Sequence, residues 1–511
     1  MIEGADIPQS PAWWLKVLAT QLQDRRNGRA GSKRWTRTLQ QPSRVRPGLD
    51  LLADHLAGDP PLLGCAEGWK DGFREVTRIG RLNVAALIAE AKANRMALRG
   101  FRTAEANDEL GDKAAREIMR ANNLAVRARE AHMGMLSLGD GYVMVTPPAD
   151  GERIPVVTAE DARECITAED PATGRTIAAL KMYRDEWDAQ DVAHLYIRED
   201  DGRVSHHKAT KAGLSSIHGN RFVLGRSWEW DGDVDDFIPK NQMPIVRLPN
   251  RNGVGEYERH LDTLDRINDQ ILNKLVIAKL QAFRQRAVKG LPSTRKQVVD
   301  GKMTEVEIDY SDAFIAGPGE LWQVPTDVDF WESDSADFRP LLESIKHDLE
   351  NLAAVTSTPL HIITPDAASG SAEGAGLMRE EHVYAVEACR DQVDRPWATV
   401  MAMCFAFMGD TKRSKPEDIE PIWGPSERYS LAEKADAASK AGTTLPNEAI
   451  QRDIWQYDPA EIPNLRIMRG RDFLTVGGQP QPPAPAPTPQ PAPQLTLFDE
   501  VPGGADPAAA G

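Results

Sequence analysis

The stretch Ala353-Ala-Val-Thr-Ser-Thr-Pro359, followed by Leu360-His-Ile-Ile-Thr-Pro-Asp-Ala-Ala-Ser-Gly-Ser-Ala-Glu-Gly-Ala-Gly376, decides the fold of this chain. A helix is predicted over about residues 337–355. It must end at Thr358, because the residue before a proline is pushed out of the α region. The glycines that follow favour a loop. The stretch therefore predicts a helix that ends abruptly and passes into a glycine-rich loop.

Helical spacing of apolar residues resumes after this loop, from about Ala372 to Met408. Pro396 lies inside that segment and lacks the N–H that a helix interior needs, so we expect a kink near residue 392. A helix of this length spans on the order of 50 Å. Such an element exceeds the needs of a small core and favours a strut in a large assembly.

Two apolar stripes upstream of the loop predict a pair of antiparallel helices that form a stalk. The first falls between Glu256 and Gln285, the second precedes Thr358, and a β-like insert at 287–330 separates them. The first stripe comprises Leu261, Leu264, Ile267, Ile271, Leu275 and Ala278, and the second comprises Phe338, Leu341, Leu342, Ile345, Leu349 and Leu352.

The N-terminal half alternates between helical and strand-like patterns. One helix is predicted over 69–100 with Gly100 as its C-cap, and a second over 112–135. An antiparallel sheet is predicted within 153–250, with His206-His207 exposed in a hairpin turn. Its expected strands, and the strand before it, are 142–145, 153–157, 177–183, 192–197 and 244–248.

Composition limits the class of protein. The 511 residues suggest two or more modules, and the net charge of −16 argues against a bulk nucleic-acid binder. Four scattered cysteines without C-x-x-C spacing favour reduced thiols, so no disulfide framework and no metal site is predicted. No stretch approaches the roughly 20 apolar residues of a membrane helix, and no secretory signal is found. We expect a soluble protein made in the cytoplasm, with no membrane partner.

A basic run near the N-terminus contrasts with the acidic whole. Two interpretations stay open: a solvated helix face with a loop, or a contact with nucleic acid or an acidic neighbouring subunit. The candidate residues of this patch are Arg25, Arg26, Arg29, Lys33, Arg34 and Arg37.

Sequence motifs of enzymes are nearly absent. The chain has no phosphate-binding G-x-x-x-x-G-K-[ST] loop, no G-x-S-x-G elbow and no H-E-x-x-H motif, so no cofactor and no catalytic residue is predicted. Glu90 and Lys92 have the spacing found in some metal-dependent nucleases, although they fall in a predicted helix where those enzymes use a strand. A phage-encoded nuclease or an adaptor protein is therefore the alternative hypothesis.

Several landmarks, in order and spacing, resemble the portal proteins of tailed bacteriophages, particularly the siphovirus type from phages of actinobacteria. The resemblance extends over about residues 11–470. Its landmarks are 81–88, 99–102, 122–124, 138–143, 244–251, 283–290, 356–359 and 369–371. The chain departs from relatives at about 47–62, where they often carry an aromatic pair and this chain has Leu51-Leu-Ala-Asp-His-Leu-Ala-Gly58.

The resemblance implies an α+β portal fold with an α/β wing, a two-helix stem, a small α/β clip, a long kinked spanning helix and a helical crown. The implied regions are the wing 1–255, stem helices 256–282 and 333–358, clip 283–332, tunnel loop 360–371, long helix 372–410, crown 426–472 and a disordered Pro/Ala-rich tail 477–511.

The resemblance also implies a function without catalysis. Portal proteins form a ring, usually a dodecamer, at one vertex of the virion capsid, through which double-stranded DNA is packaged and ejected. Their implied partners are the terminase large subunit, head-completion or adaptor proteins, and the major capsid and scaffolding proteins. The candidate DNA-channel residues are Thr364, Pro365, Asp366, Ser369, Gly370 and Ser371 in the tunnel loop, and the candidate residues on the stem faces are Asp262, Asp265 and Glu343.

The tunnel-loop region 360–376 contains no lysine or arginine. Since basic side chains make the phosphate contacts that hold DNA, a loop that touches moving DNA should lack them. The tail contains a separate candidate: Gln494, Leu495, Leu497 and Phe498 resemble the short peptide by which bacterial proteins bind the replication sliding clamp.

Overall fold

A computed structural model of the chain describes residues 4–28, 46–61, 79–104, 111–213, 228–232, 238–282, 286–299, 302–308, 329–332, 337–363, 372–427, 429–458 and 461–475. The chain divides into two compact units, Met1–Pro459 and Ala460–Gly511. The second unit contains one described helix, Ile462–Thr475, and every other element belongs to the first.

The N-terminal part of the first unit is mainly helical. Its helices are α1 (Pro11–Asn27), α2 (Leu49–Ala57), α3 (Val84–Ala93), α4 (Lys113–Ala121) and α5 (Leu124–Leu138), and strand β1 (Leu98–Thr103) follows α3. The segment at about 47–62, where the sequence departs from the portal pattern, contains α2, which buries Leu49 and Leu52.

Two helix predictions in this part are wrong in detail, the first in where the helix ends. The helix expected over 69–100 corresponds to α3, which ends at Ala93; residues 62–78 lie outside the described part. Gly100 is not a helix cap but lies in β1, opposite Ile422 of a strand more than 300 residues further on. That long-range pairing overrides local helical spacing, which by itself cannot reveal a distant partner.

The helix expected over 112–135 is two helices. Asn123 adopts the left-handed conformation (φ 48°) between α4 and α5, and asparagine is among the few residues that tolerate it. Asp112 begins α4, because its carboxylate accepts hydrogen bonds from Ala114 N and Ala115 N at 2.7 and 3.1 Å.

The strands of the wing-like region form two antiparallel sheets rather than the one expected. A three-stranded sheet has the order β3-β2-β9, and a five-stranded sheet has the order β4-β5-β6-β7-β8. Tyr142 in β2 lies opposite Glu160 on one side and Arg247 on the other. The strands are β2 (Asp140–Thr146), β3 (Val156–Glu160), β4 (Cys165–Glu169), β5 (Thr176–Asp185), β6 (Gln190–Arg198), β7 (Val204–Ala212), β8 (Glu229–Trp230) and β9 (Ile245–Pro249).

The strand positions themselves are confirmed to within a few residues, but the histidine pair is misplaced by the sequence prediction. His206 lies in β7 opposite Tyr196, only 8% exposed, with its ring stacked 4.8 Å from the Tyr196 ring. The turn closes earlier, at Gly202 (φ 82°), so the histidines belong to the strand that follows it.

The predicted helix pair is confirmed as α6 (Leu261–Ala282) and α7 (Arg339–Val355). Between them lie two two-stranded antiparallel sheets, as expected for a β-like insert. One joins β10 (Arg286–Lys289) to β13 (Asp329–Glu332), and the other joins β11 (Thr294–Val299) to β12 (Lys302–Glu307).

The long helix is confirmed as α9 (Ala372–Phe407), 36 residues that continue through Pro396. The kink near residue 392 stays a prediction. A short helix, α8 (Leu360–Ile363), precedes it, and residues 364–371 lie outside the described part. The remaining elements are β14 (Ile419–Trp423), α10 (Leu431–Ala441), α11 (Asn447–Ala449) and α12 (Ile462–Thr475).

The largest core cluster surrounds the C-terminal half of α9. Trp397 and Phe405 are almost completely buried there, against apolar residues of α5, β2 and β9. The Trp397 indole donates to Nε2 of His132, which is also fully buried, at 2.9 Å. The long helix is therefore an internal element of the first unit over this half.

Candidate functional site

The stalk formed by α6 and α7 buries one stripe from each helix. Ile267 of α6 is 1% exposed, and Ile345 and Leu352 of α7 are 8% and 1% exposed, within one shared cluster. Six of the twelve predicted stripe positions are buried and four are partly buried, whereas Ala278 is exposed and Leu342 is 49% exposed. The opposite faces of both helices stay available to solvent or to a neighbouring molecule.

A polar contact joins the same two helices. The Arg266 guanidinium of α6 donates from Nη2 and Nε to the Asp348 carboxylate of α7 at 2.8 and 3.0 Å, and Gln270 donates to the same carboxylate at 3.0 Å. The hydrogen bonds from Arg266 lower the pKa of Asp348. The contact aligns the part of α6 around Arg266 with the part of α7 around Asp348.

The three acidic residues predicted on the stem have different surroundings. Asp262 and Glu343 are exposed. Asp265 is partly buried, and its Oδ1 lies 3.6 Å from Nε2 of the buried His55 in α2. Burial raises the pKa of Asp265 and lowers the pKa of His55. Asp265 therefore faces the rest of the unit, whereas Asp262 and Glu343 are free to line a surface.

The base of the predicted tunnel loop is tightly built. Thr356 Oγ1 donates to Leu352 O at 2.8 Å and lies 2.9 Å from the Thr358 hydroxyl. Ser357 adopts the left-handed conformation (φ 50°), and its hydroxyl donates to Glu381 at 2.9 Å. Since non-glycine residues rarely adopt this conformation, these side-chain bonds maintain the bend at the end of α7.

His382 of α9 closes this base from the other side. Its ring nitrogens lie 2.9 Å from Ser357 O and 3.2 Å from Ala91 O, the latter at the end of α3. Its side chain is fully buried. The chain segments before and after residues 364–371 are therefore joined to each other, and the end of α3 lies beside the same ring.

Sequence reasoning missed His382, although one signal was available. It precedes Val386, Cys389 and Val393 at helical spacing, and all three are buried. A polar residue on such a stripe must find hydrogen-bond partners inside the protein.

The six candidate channel residues of the loop lie outside the described part of the structure. They are Thr364, Pro365, Asp366, Ser369, Gly370 and Ser371. The four candidate tail residues, Gln494, Leu495, Leu497 and Phe498, lie outside it as well. All ten stay predictions from sequence.

Two arginines of the predicted basic patch have internal partners. Arg25 donates to Pro47 O and Leu138 O at 2.9 and 3.1 Å, and Arg26 donates to the Asp50 carboxylate at 3.1 Å. Both therefore tie α1 to neighbouring segments. The other four patch residues, Arg29, Lys33, Arg34 and Arg37, lie outside the described part.

The nuclease alternative depends on Glu90 and Lys92. Lys92 is 5% exposed and forms an ion pair with Glu256, whose other oxygen accepts from Asn250 at 3.0 Å. A lysine committed to a buried ion pair cannot reach a phosphodiester at the surface. Among the residues that the structure describes, no group of three or more histidine, cysteine or acidic side chains could hold a metal ion.

Comparison with known proteins identifies the family. The family model for phage portal proteins of the SPP1 Gp6-like type matches residues 53–462, most of the chain. The chain belongs to the phage portal protein family. The α+β class and the portal family predicted from sequence are confirmed, and the general role of the family is a channel for phage DNA. The siphovirus-type and actinobacterial subtype stays a prediction.

Two solved structures are similar to this portal protein. One is the neck of a native GTA particle computed with C12 symmetry (13% identity, TM-score 0.39, 74% of this chain and 89% of that one). The other is the neck of an empty GTA particle computed with C6 symmetry (13%, 0.39, 78% and 96%). Similarity at this level supports no further conclusion. No curated protein matches the chain significantly.

No helix within the described ranges is both long and apolar enough to cross a membrane.

Proposed function

We propose that copies of this portal-family chain assemble into a ring, with a dodecamer as the expected form, at one vertex of the virion capsid. Double-stranded DNA passes through the ring without sequence recognition during packaging and ejection. The observation that supports this most directly is the family match over residues 53–462. The chain is made in the host cytoplasm before assembly.

The stalk supplies a wall suited to moving DNA. The buried parts of the apolar stripes of α6 and α7 pack against each other and the rest of the unit, and the outer faces are mainly polar, with Leu342 and Val355 as exposed apolar residues. Asp262 and Glu343 are exposed on those faces, and Asp348 neutralises Arg266. A wall with few unpaired cations releases few counterions from DNA and binds it weakly. We assign α6 and α7 to the stem, and residues 360–371 to the tunnel loop.

The insert between the stem helices is the proposed clip, at 283–332. Val298 and Met303 are paired across β11 and β12 and are 64% and 75% exposed. An isolated two-stranded hairpin is only marginally stable, so such an exposed apolar pair favours a partner. We propose that the terminase large subunit docks here during packaging and that head-completion or adaptor proteins replace it.

The other regions follow the same scheme. Residues 1–255 form the wing, 372–410 its long helix, and 426–472 the crown, while the wing contacts the major capsid and scaffolding proteins. The protein itself catalyses nothing, and a separate ATPase drives the DNA. Lys92 of the nuclease-like pair Glu90 and Lys92 is held in an ion pair with Glu256, which argues against a nuclease site there.

Electron microscopy of the purified protein tests the proposal. We expect closed rings with a central hole and a symmetry that class averages resolve. A protein that stays monomeric at every concentration and salt condition would refute it.

A further inference from the structure

The hairpin that joins β5 to β6 exposes a tryptophan. Trp187 is 97% exposed, whereas Trp228 and Trp397 are fully buried. A tryptophan can bury 150–250 Å² of surface, and this one contributes almost nothing to the core of its own chain. The Trp187 indole can therefore become buried in an interaction with another molecule.

The turn that presents Trp187 is internally bonded. Oδ1 of Asp185 accepts from Trp187 N at 3.0 Å and from Asp188 N at 3.3 Å. Gly213 N, just after β7, donates to Ala189 O at 3.1 Å. Docking a preorganised turn loses little conformational entropy, which favours affinity.

The charge around Trp187 limits what it can bind. Glu186 and Asp188 flank it directly and are exposed, and Asp185 precedes them. Three carboxylates beside one indole repel DNA phosphates and anionic lipid headgroups. The surface complementary to the Trp187 hairpin is therefore a protein surface with an apolar floor and a basic rim.

This chain itself contains such a surface. A groove of about 380 Å³ lies along α4 and is lined by Lys113, Arg116, Glu117, Arg120, Ala121 and Ile154. Ala121 and Ile154 supply apolar floor, and three cations against one carboxylate make the rim positive. Within the described part of the chain, no carboxylate forms an ion pair with Lys113, Arg116 or Arg120.

We propose that the Trp187 hairpin of one protomer docks into the α4 groove of a second copy of this chain. The indole lies on Ala121 and Ile154, and the acidic residues beside it face Lys113 and Arg120. Tip and groove are different surfaces, so the contact is heterologous, the kind that closes into a ring when the rotation permits. The inference rests on the proposed ring and assigns one contact between its neighbours.

Cross-linking tests the contact directly. The pair Glu186→Cys and Ala121→Cys in one chain, which keeps the Trp187 indole, is treated with a short bis-maleimide in assembled rings. We expect a covalent ladder of multimers. Each single variant, and Asp200→Cys combined with Ala121→Cys, should give none, because Asp200 is exposed but lies in the β6–β7 turn, at the opposite end of β6 from the Trp187 hairpin.

Charge reversal tests the chemistry. Glu186→Lys with Asp188→Lys, or Lys113→Glu with Arg120→Glu, places like charges opposite each other and should lower the fraction assembled about tenfold. All four changes together should restore assembly. Trp187→Ala should raise the dissociation constant between protomers about thirtyfold, as loss of a central aromatic anchor does. Asp200→Lys is the matched control and should assemble normally.

Each outcome has a distinct meaning. Rings of the double-cysteine variant that give no ladder, or charge reversals that assemble normally, would overturn this contact and leave the proposed function intact. Failure of the wild-type chain to form rings would instead refute the proposed function. Unchanged thermal unfolding midpoints show that the variants fold, since every substituted side chain lies at the surface.

Discussion

Nδ1 of His382 lies 2.9 Å from the carbonyl oxygen of Ser357, across the base of the predicted tunnel loop. Nε2 of the same ring lies 3.2 Å from Ala91 O. Burial lowers the pKa of His382, so at neutral pH the ring is neutral and has one N–H to donate. The shorter contact identifies Ser357 as the acceptor. One buried ring thus ties the long helix to the end of the stem.

Replacing His382 should destabilise the unit. His382→Phe keeps a ring of similar size but leaves the Ser357 carbonyl without its donor, which costs about 1–3 kcal/mol for a buried polar group. The thermal unfolding midpoint of the variant should fall. His347→Phe is the control, because His347 has a side chain 79% exposed and should change the midpoint little. An unaltered midpoint for His382→Phe would show that the contact does not stabilise the fold.

A second buried histidine predicts acid sensitivity. Burial lowers the pKa of His132 to about 3, and its Nε2 accepts the hydrogen bond from Trp397 only while it is unprotonated. The unfolded chain binds this proton near pH 6.5, so stability is lost as the pH falls from there towards 3, by up to about 1.4 kcal/mol per pH unit.

Unfolding midpoints measured from pH 7 to pH 4 test this expectation. His132→Gln retains an acceptor for the Trp397 indole but cannot titrate, so its midpoint should fall less steeply with acidification than that of the wild type. His347→Gln serves as the comparison. Parallel pH profiles for wild type and His132→Gln would be inconsistent with a buried, unprotonated His132.

The packing of the stem can be tested with two leucines of the same helix. Leu352 is 1% exposed and Leu342 is 49% exposed. Leu352→Ala creates a cavity and should cost about 2–5 kcal/mol, whereas Leu342→Ala should change stability by less than about 0.5 kcal/mol. Chemical denaturation of both variants measures the difference. Equal losses would mean that α7 does not bury the face described.

The polar contact of the stem should contribute less than its packing. Arg266 has a side chain 52% exposed, so solvent screens its attraction to Asp348. A double-mutant cycle of Arg266→Ala and Asp348→Ala should give a coupling energy of about 0.2–1 kcal/mol that decreases in high salt. A larger, salt-independent value would place the pair in a drier environment, such as an interface between protomers.

The tunnel loop prediction concerns charge. Asp366→Lys adds a cation to a segment that has none between 360 and 376, so phosphate contacts should slow or stall packaging most strongly at low salt. Asp366→Asn removes the charge without adding a contact and should package at nearly the normal rate. Normal packaging rates for Asp366→Lys at low salt would argue against a loop that touches DNA.

Sequence patterns predicted the elements that depend on local spacing. The stripes from Leu261 and Ile345 place α6 and α7 correctly, because an amphipathic helix shows its buried face as a periodicity of 3.6 residues. The long helix was equally visible. Predictions failed where a distant segment decided the outcome, as at Gly100, whose strand pairs with β14.

The histidines show the same limit within the candidate site. His206 was expected in an exposed turn, but β6 and β8 flank its strand and bury it. His382 gave only an indirect signal, its position on an apolar stripe. The two carbonyl groups beside its ring nitrogens, those of Ser357 and Ala91, are 25 and 291 residues away, so no local pattern could pair them.

By itself, the sequence determined the stem pair, the long helix, several strands between residues 140 and 250, the loop without cations and the resemblance to portal proteins. These depend on residues that are neighbours along the chain or recur at a fixed period. The tertiary structure alone decided which polar groups meet: His382 with Ser357, Arg25 with Leu138, and Lys92 with Glu256. It also placed the Trp187 hairpin in solvent. Hydrogen bonds and burial depend on distances in space, and only the folded chain sets those distances.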